Sequence, residues 1–157
     1  RCNELGIILD VSHINRAGFA DMLEASTQPV VATHSNAQAV SAHVRNLDDD
    51  QIRALAEQGG TMGINFATAF LRPDMQFDSD TSVEAIVAHF DHVVNLVGDE
   101  HVSFGTDFDG AGIPDVVGDA AGLPVVLQAL QARGYSDDRL ERIYHGNFLR
   151  VASAVWR

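Results

Sequence analysis

Hydrophobic positions along the chain fall into two alternating rhythms. Four short, nearly continuous apolar runs, LGIILDVSH (5–13), PVVATHS (29–35), TMGINF (61–66) and HVSFGTDFDG (101–110), predict parallel strands covered on both faces. Between them, apolar residues recur at helical spacing. Asn15 to Ser26 carries Phe19, Met22 and Leu23 on one face, and TSVEAIVAHFDHVVNLVG (81–98) carries Ile86, Phe90, Val93, Val94 and Val97, with Gly98 as a stop. NLDDDQIRALAEQGG predicts a helix whose acidic first turn suits the helix dipole and which Gly59-Gly60 ends. After a longer loop through 111–122 come a helix at about 123–133 and a closing one through SDDRLERIYHGNFLRVASAVW, with Ser136 as its N-cap.

The expected class is therefore α/β, a (βα)₄ segment with no linker, repeat or low-complexity tract. Four such units form a small doubly wound sheet or one half of an eight-stranded barrel, which takes about 250 residues. A length of 157 residues by itself favours the doubly wound sheet.

Charge narrows the partners. Lys and Arg number 10 against 22 Asp and Glu, a formal net charge of −12, so the field opposes nucleic acid and anionic membranes and favours cations. Cys2 is the only cysteine, which excludes an internal disulfide and a thiolate-rich zinc site, so a bound metal would rely on His and carboxylate. No run of about 18 apolar residues occurs, and RCNELGIILD lacks the features of a signal peptide. Compartment stays open, with the cytoplasm as the default expectation.

In either architecture the functional edge lies at the C-terminal ends of the parallel strands. His13, His34 and Asp107 all fall there. Their separations are those of strand ends, so the fold must bring them together. Read from spacing alone, they are either metal-linked chemistry or hydrogen-bonded loop residues. Arg45, in HVRN, is either a surface cation or a fork for a substrate carboxylate. His89, His92 and His101 read as partly solvated helix or loop residues, and His145 as a packing or surface residue. Asp48, Asp49 and Asp50 read as a helix start rather than a calcium loop, and Asp109 reads as the shaper of a turn before Gly110. Asn147 reads as a residue that satisfies backbone groups.

LGIILDVSH, PVVATHSNA, VRNLDDDQIRALAEQGGTMGINF, DHVVNLVGDEHVSFGTDFDG and RGYSDDRLERIYHGNFLRV, in that order, closely resemble the C-terminal half of the membrane (renal) dipeptidase family of zinc peptidases. That resemblance implies a (βα)₈ barrel of the metallo-dependent hydrolase type, of which these units would be the second half, and so reverses the preference drawn from length. It implies two zinc ions per complete site, with His13 and His34 as ligands of the second. Asp107 would move protons between water and the leaving amine, and Arg45 would hold the terminal carboxylate of a dipeptide, including one with a C-terminal D-residue. Val44 stands where the family commonly has proline, and HGN at 145–147 where it commonly has GGN. The family's HxD zinc pair, bridging Glu and carbonyl-contacting histidine would lie upstream of these residues. The expectation is an inactive isolated chain that is unstable, oligomeric (a homodimer among the options), or completed by its N-terminal half or a partner chain. The alternatives are a noncatalytic α/β binding module and another amidohydrolase-type metal hydrolase.

Overall fold

The computed structural model of the chain describes residues 1–156. A short helix α1 (Cys2–Leu5) ends at Gly6, whose φ of 68° suits a residue without Cβ. The helix α2 (Arg16–Ala25) follows, capped by the Asn15 side chain, which accepts from the Gly18 amide. Strand β1 (Val31–Ser35) leads to α3 (Asp49–Glu57), where Asp48 and Gln51 form a reciprocal capping box. Strand β2 (Thr61–Ile64), a short helix α4 (Thr68–Leu71) and the long helix α5 (Val83–Val97) come next, and α5 stops at Gly98 as its sequence predicts. A 3-10 turn (Asp99–His101) feeds β3 (Val102–Phe104), and the chain closes with α6 (Leu123–Ala132), α7 (Asp137–Glu141) and α8 (Asn147–Val155).

The strands form one parallel sheet in the order β1-β2-β3, following the chain without reversal. A doubly wound sheet needs such a reversal, so the order departs from what length alone favours. Register places Ala32, Met62 and Val102 on one face, where they join Ile52 and Leu55 of α3 and Ile86, Phe90 and Val93 of α5 in the core. The opposite face carries Val31, Thr61 and Ser103. Val31 packs on Val151 and Val155 of α8, and the rest of that face opens into a cavity of about 260 Å³ rimmed by Phe148.

Two predicted strands differ from the structure. Residues 5–13 form no strand beyond one parallel bridge, Asp10 to Val31, flanked by the bonds Val31 N–H to Leu9 C=O (2.9 Å) and Val11 N–H to Val31 C=O (2.8 Å). The ladder stops because side chains take it over: the Thr33 amide donates to Asp10 Oδ1 (3.0 Å), and the His34 amide to Ser12 Oγ (3.0 Å). The run 101–110 keeps only Val102–Phe104 as strand. His101 lies in the preceding 3-10 turn, and Asp107 and Asp109 take left-handed backbone at φ 59° and 64°, so the chain turns rather than extends.

The single closing helix expected after Ser136 is present from 137 to 155, with α7 and α8 running continuously through a π-helical turn at Arg142–Gly146 that the sequence reading did not foresee. Its wider loop lets Asn147 face inward, where its side-chain amide donates to the carbonyls of Asp99 and Val102, both at 2.7 Å. Asn147 thus satisfies backbone groups at the start of β3, as its sequence reading expects.

Candidate functional site

The site begins with a defect in β1. Ala32 pairs with Met62 and Ser35 with Ile64, so Thr33 and His34 together face the single residue Gly63. This is a β-bulge, a device that re-aims side chains at sheet ends. A Cβ at Gly63 or at Gly105 would collide with the Thr33 carbonyl, so the bulged strand leans inward only because both neighbours are glycine.

The bulge and the DVSH segment lock together through side chains. Asp10 Oδ1 accepts from the Ser12 and Thr33 amides, and Asp10 Oδ2 accepts from the Thr33 hydroxyl at 2.5 Å. Thr33 Oγ1 lies 2.8 Å from His34 Nδ1, and Ser12 Oγ lies 3.4 Å from Ser35 Oγ. His13 has a left-handed backbone, φ 68°, unusual for a residue with a side chain and characteristic of functional sites. The outcome is that His13 Nε2 and His34 Nε2 point at each other across 2.8 Å, with ring centroids 4.9 Å apart.

Two imidazole nitrogens brought this close hydrogen-bond to each other here and are of the donor type that a divalent metal takes. Among the described residues, no group of three or more His, Cys, Asp or Glu side chains converges in this way. The donor chemistry therefore fits a divalent metal but supplies two ligands of it. Partial burial, the Arg45 cation and the facing His34 push the His13 imidazole below its ordinary pKa, against the opposite pull of Asp107 and Asp10. The His13 ring is thereby biased toward the neutral form that ligates.

Arg45 and His13 line one cavity of about 480 Å³, together with Val11, Gln38 and Leu47. The Nε and Nη2 of Arg45 are buried and meet no hydrogen-bond partner, although the guanidinium lies over the Phe70 ring with its Cζ 5.6 Å from the centroid. Burial lowers the Arg45 pKa while Asp107 and Asp10 oppose the shift, and an arginine keeps its charge through such changes. Its loop is ordered despite Val44: the Arg45 amide donates to His43 Nδ1 at 3.1 Å, the Asn46 amide donates to the His43 carbonyl at 3.0 Å, and the His43 ring packs on Phe70.

Asp107 is held from one side. Asn65 Nδ2 donates to its Oδ2 at 3.0 Å, while Asn65 Oδ1 accepts from the Ala67 amide and its backbone is paired with the Asn36 side chain. Asp107 acts electrostatically on both His13 and Arg45, so the four residues singled out in the sequence belong to one edge of the sheet. Asp109 forms the turn expected of it: it sits in left-handed backbone between Asp107 and Gly110, whose amide donates to the Asp107 carbonyl at 3.1 Å.

Sequence reasoning passed over Asp10, Ser12, Thr33, Asn36 and Asn65. Their signal is present, since each is a polar residue set inside or at the end of an apolar strand run. His89 needs a correction: it is fully buried rather than partly solvated. Its Nδ1 accepts from the Ala37 amide (3.1 Å) and its Nε2 donates to the Leu71 carbonyl (3.2 Å), so a ring on α5 ties the loop after β1 to the end of α4.

The sequence profile of the membrane dipeptidase family, peptidase family M19, matches residues 1–156. An uncharacterized protein encoded in the pqqA 5′ region of Klebsiella pneumoniae is 46% identical over 155 residues, which cover 99% of this chain and 57% of that protein. Dipeptidase 3 of Rattus norvegicus is 31% identical over 154 residues, covering 98% and 31%. The crystal structure of a metallopeptidase from Rhodobacter sphaeroides, bound to a phosphinate mimic of the dipeptide L-Ala-D-Ala, superposes with a TM-score of 0.96 at 42% identity, covering 99% of this chain and 44% of that one. The chain thus spans between about a third and somewhat more than half of the relatives it matches. It belongs to the membrane dipeptidase family of metallopeptidases.

Proposed function

We propose that this chain forms one side of a zinc dipeptidase centre and the second half of a (βα)₈ barrel. The sequential order of the parallel strands supports the barrel half. The observation that carries the enzyme reading is the unpartnered guanidinium of Arg45 in the wall of a cavity that also holds His13. A buried cationic donor left unpaired in the folded protein is costly, and a ligand carboxylate relieves that cost by accepting from both nitrogens of the fork.

In this reading His13 and His34 are two ligands of one zinc of a pair, and the remaining donors come from residues outside the 157. Bound zinc would supply Lewis-acid polarisation of the scissile carbonyl and acidify the attacking water. The chain's own residues do the rest. Asp107, with Oδ2 occupied by Asn65, takes the proton at Oδ1 and returns it to the leaving amine. Arg45 fixes the terminal carboxylate and thereby measures length, because a longer peptide places no carboxylate at that point. Dipeptides are the substrate class, and the ligand of the Rhodobacter relative makes L-Ala-D-Ala the first to test.

The test is hydrolysis by the protein containing this chain together with the upstream barrel half, loaded with zinc. Release of alanine from L-Ala-D-Ala, with a tripeptide left intact, is the expected result. A folded, zinc-loaded protein that cleaves no dipeptide would sink the enzyme reading and leave a noncatalytic binding module. The 157 residues alone are expected to bind zinc weakly and cleave nothing, having two protein ligands where catalytic sites use three.

A further inference from the structure

Thr33 has one hydroxyl proton and two neighbours that could take it. Asp10 Oδ2 is 2.5 Å away and His34 Nδ1 is 2.8 Å away. If the proton went to the imidazole, a carboxylate oxygen would face a hydroxyl oxygen at 2.5 Å with no hydrogen between them, a repulsive contact. The proton therefore lies on the Asp10 side. Thr33 Oγ1 then presents a lone pair to His34 Nδ1, so that nitrogen carries the ring hydrogen and Nε2 is left with its lone pair outward. The facing histidine agrees: at 2.8 Å one Nε2 must donate, and His13 can do so to the bare Nε2 of His34.

We infer that Asp10 and Thr33 are positioning residues that fix the tautomer of His34, holding its Nε2 as the ligating atom. The inference rests on the reading of His34 as a metal ligand, but the tautomer itself is a property of the metal-free protein. Asp10 is fixed in turn, since its Oδ1 accepts from the Ser12 and Thr33 amides and cannot rotate away without losing both. A carboxylate therefore reaches the metal site through a hydroxyl, the supporting role that ligand histidines commonly receive from their second nitrogen.

Asp10→Asn separates this role from a merely structural one. The two backbone amides still require an oxygen at Oδ1, so the new NH₂ group falls where Oδ2 stood and donates to Thr33 Oγ1. The Thr33 hydroxyl, no longer donating to a carboxylate, is then free to turn its proton onto His34 Nδ1; the His34 ring hydrogen moves to Nε2, and the His13 hydrogen moves to Nδ1 so that one Nε2 still accepts. A nearly isosteric substitution should therefore invert the tautomer.

The readout is the pair of ring nitrogen signals of His34 in long-range ¹H–¹⁵N spectra of the ¹⁵N-histidine-labelled, metal-free protein at about pH 8.5, well above the ordinary imidazole pKa. Assignment is by loss of the signals in His34→Gln. The wild type and Thr33→Ser should carry hydrogen at Nδ1, Asp10→Asn at Nε2, and Thr33→Val a mixture of the two. Cobalt(II) titration should show affinity reduced about 10- to 100-fold in Asp10→Asn and kept at the wild-type level in Thr33→Ser. A wild-type His34 protonated at Nε2 overturns the inference whatever the variants do, as does an Asp10→Asn protein with wild-type amide spectra and an unchanged tautomer. If the tautomers behave as described while the wild type binds no metal, the relay stands and the metal reading of His34 falls.

Discussion

His34 and His89 are the same side chain in opposite circumstances. His89 is fully enclosed by α5, the loop after β1 and the end of α4, and both its nitrogens are spent on backbone groups. His34 sits half-exposed on a bulge, with Nδ1 committed to Thr33 and Nε2 aimed at another imidazole rather than at backbone. A lowered pKa does not by itself mark a site histidine, because burial pushes His89 down to about 4 and partial burial also lowers His13. The use of the second nitrogen does. Where both are saturated by backbone, an imidazole is a structural cross-brace; where one is left facing another donor atom, the protein has reserved it.

The strongest way to break this contrast is to remove each ring. His34→Ala in the complete, zinc-loaded protein should cost at least about 100-fold in dipeptide hydrolysis and empty part of the metal content, while the unfolding free energy of the metal-free protein changes by about 1 kcal/mol or less. His89→Leu should do the reverse. It leaves the Ala37 N–H and the Leu71 carbonyl buried without partners, for a loss of roughly 2–5 kcal/mol in denaturant unfolding, with metal stoichiometry unchanged. An equal stability loss in both variants would erase the distinction.

Acid should sharpen it further. A histidine whose folded pKa lies below its unfolded value binds fewer protons in the native state, so its contribution to stability is intact above the unfolded value and lost as pH falls. For His89 the window runs from about 6.5 down to about 4, with a total loss of about 3 kcal/mol. Urea unfolding of the wild type should lose stability across that window. In His89→Leu that component should be missing, and an undiminished slope in the variant would assign the loss to other groups.

What the sequence made legible follows from which forces are local. Helices α3 and α5 are readable because apolar spacing, the Asp48 cap and the Gly98 stop all lie within the segments themselves. His13, His34 and Asp107 are readable as strand-end residues, since period alone locates strand ends, and Arg45 only as a cation in the loop that follows the second strand. The interruption of the first strand was not readable, because Asp10 replaces ladder bonds only once Thr33, 23 residues on, is beside it. The π-helical turn hides for a similar reason: the pull on Asn147 comes from the carbonyls of Asp99 and Val102, about 45 residues earlier. Buried His89 shares its helical stripe with ordinary apolar positions, and its two backbone partners sit on distant loops.

The Arg45 loop yields the two smaller effects. Lysine at position 45 keeps the charge but loses the planar fork, so Arg45→Lys should raise KM for a dipeptide about tenfold with kcat less affected, and leave zinc content alone. An unchanged KM would mean that the unpartnered nitrogens do not meet substrate.

Val44→Pro asks what keeps that fork in place. Val44 is 89% exposed at the loop tip, and its amide makes no backbone hydrogen bond, so proline removes nothing there. The loop is already braced by His43, whose ring accepts from the Arg45 amide and lies against Phe70. Proline should therefore act mainly on the unfolded chain, adding about 0.4–1 kcal/mol of stability by calorimetry while KM stays within about twofold. A marked fall in KM would show instead that the His43 brace is incomplete and that Val44 leaves Arg45 partly unplaced. Combining Val44→Pro with His43→Ala separates the two: if proline restores the KM lost with His43, ring and proline are alternative ways of stiffening one loop around the same guanidinium.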